Sequence, residues 1–592
     1  NQRTKSKLEK LSIPSLGGGM KLVAQNIHPK SSKEPSLLND YSVLTDLSLI
    51  MKDVEKNNKN SGSLIGSIDE PKAPNSKENH HGQRYVYSGL YYIESWRLTD
   101  FPNNKFYAGY YGYAYYFGNQ TATTLPVNGE VTYKGTWNFI TATENGKKYP
   151  LLSNTGDGQA YSRRSATPRD IDLENGDAGL TSEFTVNFGT KKLTGGLYYN
   201  LRKTNANTSQ NTTHKLYNLE ADVHSNRFRG KVIPEESKSA DHPFTSEGTL
   251  EGGFYGPEGQ ELGGKFLAND EKVFGVFSAK ENPENKTLSR ETLIDGKLTT
   301  FKRTDATTNA TTSTAANTTT NAITDAENFT TKDIPSFGEA DYLLIDNQPI
   351  PLLPEKNTND FISSRHHEVR GKTYKVEACC SNLNYVKFGM YYEDPFKKEE
   401  EKNKGKDKEK QATTTSINTY YQFLLGHRTA SSEIPKMGNV KYLGSWFGYL
   451  SDGSTSYSTS GDEKRSKNAV AEFTVNFADK KLTGELKRHD NQNTVFNIEA
   501  TFPNGNAFTG KATANDVAID SKNTQGTSKV NFTATVNGAF YGPNATELGG
   551  YFTYNGKDTT PKNSPTVPSL PNSQNARAAV VFGAKKQVEK TK

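Results

Sequence analysis

The residues that could do covalent chemistry are few and poorly placed for it. The chain has two cysteines and they are neighbours, Cys379 and Cys380. Adjacent thiols cannot supply the C-x-x-C spacing of a zinc or redox site. They stand as a vicinal disulfide, as two free thiols or as a bridge to another molecule, and a structural role on a strand of the C-terminal half outweighs a redox one. Of the 10 histidines, His80-His81 and His366-His367 lie side by side. Neighbouring side chains on a strand point to opposite faces, so neither pair grips one metal ion through both rings; both read as solvated or partly packed. No phosphate-binding loop, dinucleotide fingerprint, HExxH, GxSxG or EF-hand pattern occurs. Carboxylate pairs arise by chance among 66 acidic residues, and no acid, base and nucleophile sit at a spacing that assembles a pocket. The reading is of a protein that is not an enzyme and needs no cofactor or metal.

Recognition chemistry is abundant instead. Tyrosine offers a large, stiff contact area with a polar tip, the property that protein-binding surfaces use, and the chain holds 31 Tyr and 29 Phe against 3 Trp. They crowd between Tyr85 and Phe117. Most of that band reads as core, because Tyr111, Tyr113 and Tyr115 alternate as one face of a packed strand. Aromatics flanked by turn residues are the better contact candidates. These are Phe101 beside Pro102, Tyr149 beside Pro150, and Tyr161 with Arg163 and Arg164 in Asp157-Gly-Gln-Ala-Tyr-Ser-Arg-Arg164.

The elements that must position these residues are strands. Gly, Thr, Asn and Tyr are plentiful while Met is scarce, a balance that favours strands and turns over helices. The chain also repeats itself. Glu183-Phe-Thr-Val-Asn-Phe188 with Lys191-Lys-Leu-Thr-Gly195 returns as Glu472-Phe-Thr-Val-Asn-Phe477 with Lys480-Lys-Leu-Thr-Gly484. Phe228-Arg-Gly-Lys231 returns as Phe508-Thr-Gly-Lys511, and Gly253-Phe-Tyr-Gly-Pro257 with Glu261-Leu-Gly-Gly264 returns as Gly538-Ala-Phe-Tyr-Gly-Pro543 with Glu547-Leu-Gly-Gly550. Upstream, Val131-Thr-Tyr-Lys-Gly-Thr-Trp137 pairs with Val440-Lys-Tyr-Leu-Gly-Ser-Trp446 at a longer offset, so the copies differ by loop insertions. A unit this long means a duplicated, two-lobed protein rather than a solenoid.

Within each copy, Phe184, Val186 and Phe188 alternate with Glu183, Thr185 and Asn187, the pattern of a half-buried strand. Strands at 8- to 12-residue spacing leave room for about eight per copy, the size of a barrel filled by its own side chains. The Phe-Tyr-Gly-Pro and Glu-Leu-Gly-Gly blocks suit a tight corner. Residues 304–328, rich in Thr, Ala and Asn, read as a linker, 397–410 as a solvated loop of mixed charge, and 1–35 as a tether, with a short amphipathic helix over 38–54. The 72 basic residues against 66 acidic ones are too balanced to mark a nucleic-acid binder. No apolar run is long enough to cross a membrane as a helix.

The bilobal duplication and these paired blocks resemble the transferrin-binding protein B family, surface lipoproteins of Gram-negative pathogens. That resemblance implies an all-β chain of two homologous lobes, each an irregular β-rich handle domain plus an eight-stranded antiparallel β-barrel. On this sequence the expected bounds are an anchor segment at 1–35, an N-lobe handle at 36–175 and barrel at 176–300, a linker at 301–335, and a C-lobe handle at 336–466 and barrel at 467–592. It further implies a receptor that captures host transferrin, preferring the iron-loaded form, through loops at the N-lobe cap. The receptor would pass it to transferrin-binding protein A, a TonB-dependent outer-membrane receptor. The family's contact region falls near 98–105 and 143–169, where Phe101, Tyr149, Tyr161, Arg163 and Arg164 stand. A lipid anchor at the cell surface is implied too, although the family's N-terminal Cys does not stand in this sequence, whose first residue is Asn1. Related lactoferrin-binding proteins carry acidic runs where this chain has the balanced 397–410 segment, which favours transferrin over lactoferrin or another host protein such as a complement regulator. The polar outer faces of the strands argue against a membrane-spanning β-barrel.

Overall fold

A computed structural model describes residues 13–23, 37–58, 83–103, 105–142, 149–152, 179–200, 212–283, 288–302, 329–338, 340–353, 360–394, 419–453, 456–459, 469–519, 529–556 and 573–588. The chain divides into two compact units, Asn1–Thr292 with Asp346–Pro349, and Leu293–Ile345 with Ile350–Lys592. Both are built almost wholly of antiparallel strands.

The first unit holds a four-stranded sheet in the order Leu37–Val43, Gly17–Val23, Lys105–Gly118, Val86–Asp100. Its first two strands correct the expected tether and helix. Met20 and Leu22 are fully buried, which gives Gly17–Val23 a core face, and the side-chain-free Gly18 makes room for Tyr41, whose hydroxyl would collide with any Cβ there. The helix begins only at Ser48, where Asp46 accepts the Ser48 N–H at 2.7 Å, and runs to Asn58 with Ile50 and Val54 buried. An aspartate at this place satisfies an orphan amide and so sets the start.

Eight strands close the barrel: Glu130–Thr141, Gly179–Asn187, Lys192–Asn200, Thr213–His224, Arg227–Pro234, Gly248–Tyr255, Glu261–Ala268 and Val273–Glu281. As the alternation requires, Phe184, Val186 and Phe188 are buried while Glu183 is exposed. The interior is aromatic. Trp137 packs against Phe139 at 5.3 Å and Phe244 at 5.7 Å, and Phe184 against Phe277 at 5.2 Å. Such rings remove much apolar area from water and prefer these tilted contacts.

The second unit repeats the plan. A six-stranded sheet runs Thr330–Asp333, Ile294–Lys302, Thr419–His427, Val386–Glu393, Lys372–Cys379, Ile362–Val369. The barrel runs from Asn439–Ser451 through Val470–Asn476, Lys481–Lys487, Thr494–Thr501, Ala507–Ala518, Lys529–Tyr541 and Glu547–Tyr554 to Arg577–Lys586, which pairs back onto Asn439–Ser451.

The expected domain bounds shift accordingly. Each barrel opens with the strand that carries its tryptophan, Glu130–Thr141 or Asn439–Ser451, inside the spans expected to be handle. A long connection separates that strand from the regularly spaced ones and hid its membership. Ile294–Lys302, expected in barrel and linker, pairs with Thr419–His427 in the second unit's handle sheet, and Thr330–Asp333 pairs with it in turn. The 304–328 and 397–410 segments lie outside the described residues.

Candidate functional site

The longest hairpin of the first unit, Val86–Asp100 with Lys105–Gly118, outruns its own core. At its base Trp96 is 3% exposed and packs on Tyr111 at 4.8 Å and Tyr107 at 5.8 Å. Tyr111 and Tyr113 donate to Asp53 of the helix at 2.7 and 2.5 Å, and Tyr91 donates to Glu55 at 3.2 Å. Burial, with Glu55 beside it, pushes the Tyr91 hydroxyl up to about 12, so it stays a donor. Between Ile93, opposite Tyr111, and Trp96, opposite Gly109, the first strand carries one extra residue. A bulge of this kind bends a strand and re-aims the residues beyond it. There Arg97, Leu98 and Thr99 are all exposed, and Phe101 at the turn is 85% exposed. Asn103 closes the turn by donating to Asp100 at 2.9 Å.

The handle strand is clamped to the barrel by one carboxylate. Glu261, 4% exposed, accepts the backbone N–H groups of Arg84, Tyr85 and Val86 at 2.9 to 3.2 Å. Burial raises its pKa although the three amides pull the other way. Gly263 lets the strand approach, since a Cβ there would collide with the Val86 side chain. From this clamp the strand passes Ser88, 2.9 Å from Ser278, and then Gly89, whose N–H reaches the Asn138 oxygen at 3.3 Å once that amide is oriented to satisfy both neighbours. It therefore climbs toward the rim where Thr141, Gly179, Asn200, Thr213, Gly248, Ala268 and Val273 meet. The start of the hairpin thus runs along the barrel wall in the direction of that rim.

This geometry coincides with a match to three family models. The model described as the N-lobe handle of transferrin-binding protein B matches 1–122, that of the two barrels matches 125–281 and 434–586, and that of the C-lobe handle matches 291–429. The chain belongs to the transferrin-binding protein B family. A transferrin-binding protein B of Haemophilus influenzae strain Rd is 66% identical over 602 residues, spanning 100% of this chain and 92% of the relative. One from Neisseria meningitidis serogroup B is 35% identical, spanning 90% and 81%. The crystal structure of the isotype 1 protein from serogroup B Neisseria meningitidis superposes with a TM-score of 0.70 at 29% identity, covering 97% of this chain and 100% of that one.

Among the family-suggested contact residues, Phe101 stands at the hairpin tip as an exposed ring. Tyr149, expected on an accessible loop, is 7% exposed. The adjoining Pro150–Leu152 turn folds back, with the Leu151 N–H donating to Asp241 at 3.1 Å, which withdraws the ring from the surface. Tyr161, Arg163 and Arg164 lie outside the described residues, on the connection between the Pro150–Leu152 turn and the rim strand that opens at Gly179. Leu98, inside the expected 98–105 region, and Arg97 just before it are exposed too, and neither was singled out, because strict alternation along the hairpin hides the point where it leaves the core.

Cys379 and Cys380 are joined as a disulfide at the end of Lys372–Cys379, both buried beside Phe361, Leu383 and Phe388. His366 pairs with Asp394 at 2.9 Å, and His80-His81 fall outside the described residues. Among the described residues no group of His, Cys, Asp and Glu is arranged to hold a metal ion, and no helix is long and apolar enough to cross a membrane.

Proposed function

We propose that this chain is a surface receptor for host transferrin, held at the outer membrane by a lipid anchor. The hairpin tip and barrel rim of its first unit grip the iron-loaded form and deliver it to transferrin-binding protein A for iron acquisition. Membership of the family supports the ligand. The exposed apolar tip of Leu98 and Phe101, standing beyond a fully packed base, is the observation that carries the location, since solvent-facing aromatics on a rigid support are what binding hot spots are made of. Preference for loaded transferrin needs no iron ligand in the receptor, because a receptor that fits one conformation of its partner selects the state that populates it. No covalent step is involved.

Binding of the purified chain to immobilised iron-loaded transferrin, iron-free transferrin and lactoferrin tests this reading, with Phe101→Ala and Tyr161→Ala beside the unaltered chain. Selective capture of loaded transferrin, weakened by either substitution, is expected. Selective capture indifferent to both would move the site elsewhere, and a folded chain that captures lactoferrin or nothing would overturn the ligand.

A further inference from the structure

Under the handle sheet of the first unit lies a cluster of buried charges. Arg227, Glu251 and Lys265 project outward from three neighbouring barrel strands and are 4%, 1% and 1% exposed. Arg227 pairs with Glu251. Lys265 stands 3.8 Å from the same carboxylate, donates to the Tyr41 hydroxyl, and lies 4.4 Å over the Tyr41 ring and 5.8 Å from the Tyr116 ring. Tyr41 and Tyr116 belong to two different handle strands, so barrel charges are completed by handle groups.

The second unit lacks this cluster at the equivalent place. Aligning the repeated blocks puts Ala507 where Arg227 stands, Asn537 for Glu251 and Tyr551 for Lys265. Gly118 and Gly426, which pack alike on Tyr255 and Tyr541, put Leu424 for Tyr116. All four replacements line an open cleft of about 370 Å³. The carboxylate clamp is common to both units, since Glu547 accepts from Asn384, Tyr385 and Val386 at 2.9 to 3.1 Å. The clamp is therefore the general joint between handle and barrel. The second unit builds its seam from other residues: Arg428 pairs with Asp295 of the handle at 2.6 and 2.7 Å, and Tyr541 of the barrel donates to the same carboxylate at 2.7 Å. The Arg227, Glu251 and Lys265 arrangement, with its charges on the barrel, belongs to the unit that carries the exposed hairpin.

Buried charges are a poor way to gain stability, because desolvation offsets their attraction, but they tolerate few arrangements: sliding the handle along the barrel takes the Tyr41 hydroxyl and the Tyr41 and Tyr116 rings away from Lys265 and leaves a buried cation without the acceptor and cover it needs. The hairpin tip rises from the handle and the rim from the barrel, so a ligand that touches both needs their spacing fixed beforehand. We propose that Arg227, Glu251 and Lys265 are positioning residues that lock the handle on the barrel, presenting tip and rim as one preassembled surface to the protein ligand. This rests on the recognition reading above.

Two readouts on the full chain test it. Genetically encoded spin labels at exposed Asn103 and Lys272 report the tip-to-rim distance and leave Cys379 and Cys380 untouched, while surface-binding kinetics report transferrin affinity. Glu251→Gln is expected to broaden the distance distribution and to weaken binding at least tenfold. A Ser88→Cys/Ser278→Cys staple, placed where the two hydroxyls are 2.9 Å apart, is expected to restore both. Lys265→Met serves as a second variant if Glu251→Gln does not fold. An unbroadened distribution, or a broadened one with undiminished affinity, overturns the proposal. If the unaltered chain binds no transferrin, the ligand reading fails, and the distance distribution still decides whether the seam fixes the tip.

Discussion

At the scale of single residues, the strongest dependencies are polar. Glu261 satisfies three consecutive backbone amides, one of them on fully buried Val86. Removing the acceptor strands those donors, so Glu261→Ala should cost about 2–3 kcal/mol, read as a shift in the denaturant midpoint; a loss under about 0.5 kcal/mol, the scale of an ordinary surface change, would show that water replaces the carboxylate. Lys265 makes a prediction with a sign. Burial pulls its pKa down to about 8, with Arg227 and Arg229 acting the same way and Glu251 opposing them. The ordinary value is 10.5, so between pH 8 and 10.5 the unfolded chain holds a proton that the folded chain has released, and stability gains from rising pH across that window. Below pH 8 both states are charged and the burial cost stands in full. The facing Tyr41 and Tyr116 hydroxyls are pushed up and stay protonated there. Relative to Lys265→Met, the unaltered chain should gain about 1 kcal/mol per pH unit above about pH 8, measured by denaturation at about pH 7.5 and 9.5. A difference that does not change with pH would refute it.

At the scale of elements, the hairpin separates what was legible in the sequence from what was not. The alternation of Phe184, Val186 and Phe188, the duplication and the barrel size could all be read, because they depend on neighbours in the chain and on a pattern of period two. The role of the Glu-Leu-Gly-Gly blocks could not: they stood out by repetition and read as corners, whereas Glu261 acts on residues 84–86, far away in sequence. The same limit hid the strand at Gly17–Val23, whose partners are Tyr113 and its neighbours, and the charged seam, whose members sit on separate strands. The burial of Tyr149 was out of reach for a related reason, since a flanking proline marks a turn but not which way the ring faces. Phe101 was legible because turn residues surround it, and its exposure divides binding from folding. Phe101→Ala should weaken transferrin binding by about 2 kcal/mol while leaving the melting temperature within about 1 °C, as an exposed side chain loses little on truncation. A drop in melting temperature matching the loss of binding would mean that the ring packs after all.

At the scale of the whole molecule, duplication has produced two units that share a plan and differ in detail. Each has its own closed barrel, its own handle sheet and its own carboxylate clamp, Glu261 or Glu547. A barrel with a complete aromatic interior, such as Trp446 with Phe496 at 5.8 Å in the second unit, contains within itself the contacts that make unfolding cooperative. Calorimetry of the full chain should therefore resolve two transitions. Because Glu261 and Glu547 share no partners, their effects should be separable: Glu261→Ala should lower one transition and leave the other in place, Glu547→Ala should do the reverse, and the double variant should lower both by the single-variant amounts. The charged seam adds a distinguishing mark, for only the transition moved by Glu261→Ala should also respond to Lys265→Met. A single transition moved equally by either clamp variant would mean that the two units melt as one cooperative body, and the seam's influence would then have to be sought across the entire chain rather than in the unit that bears the hairpin.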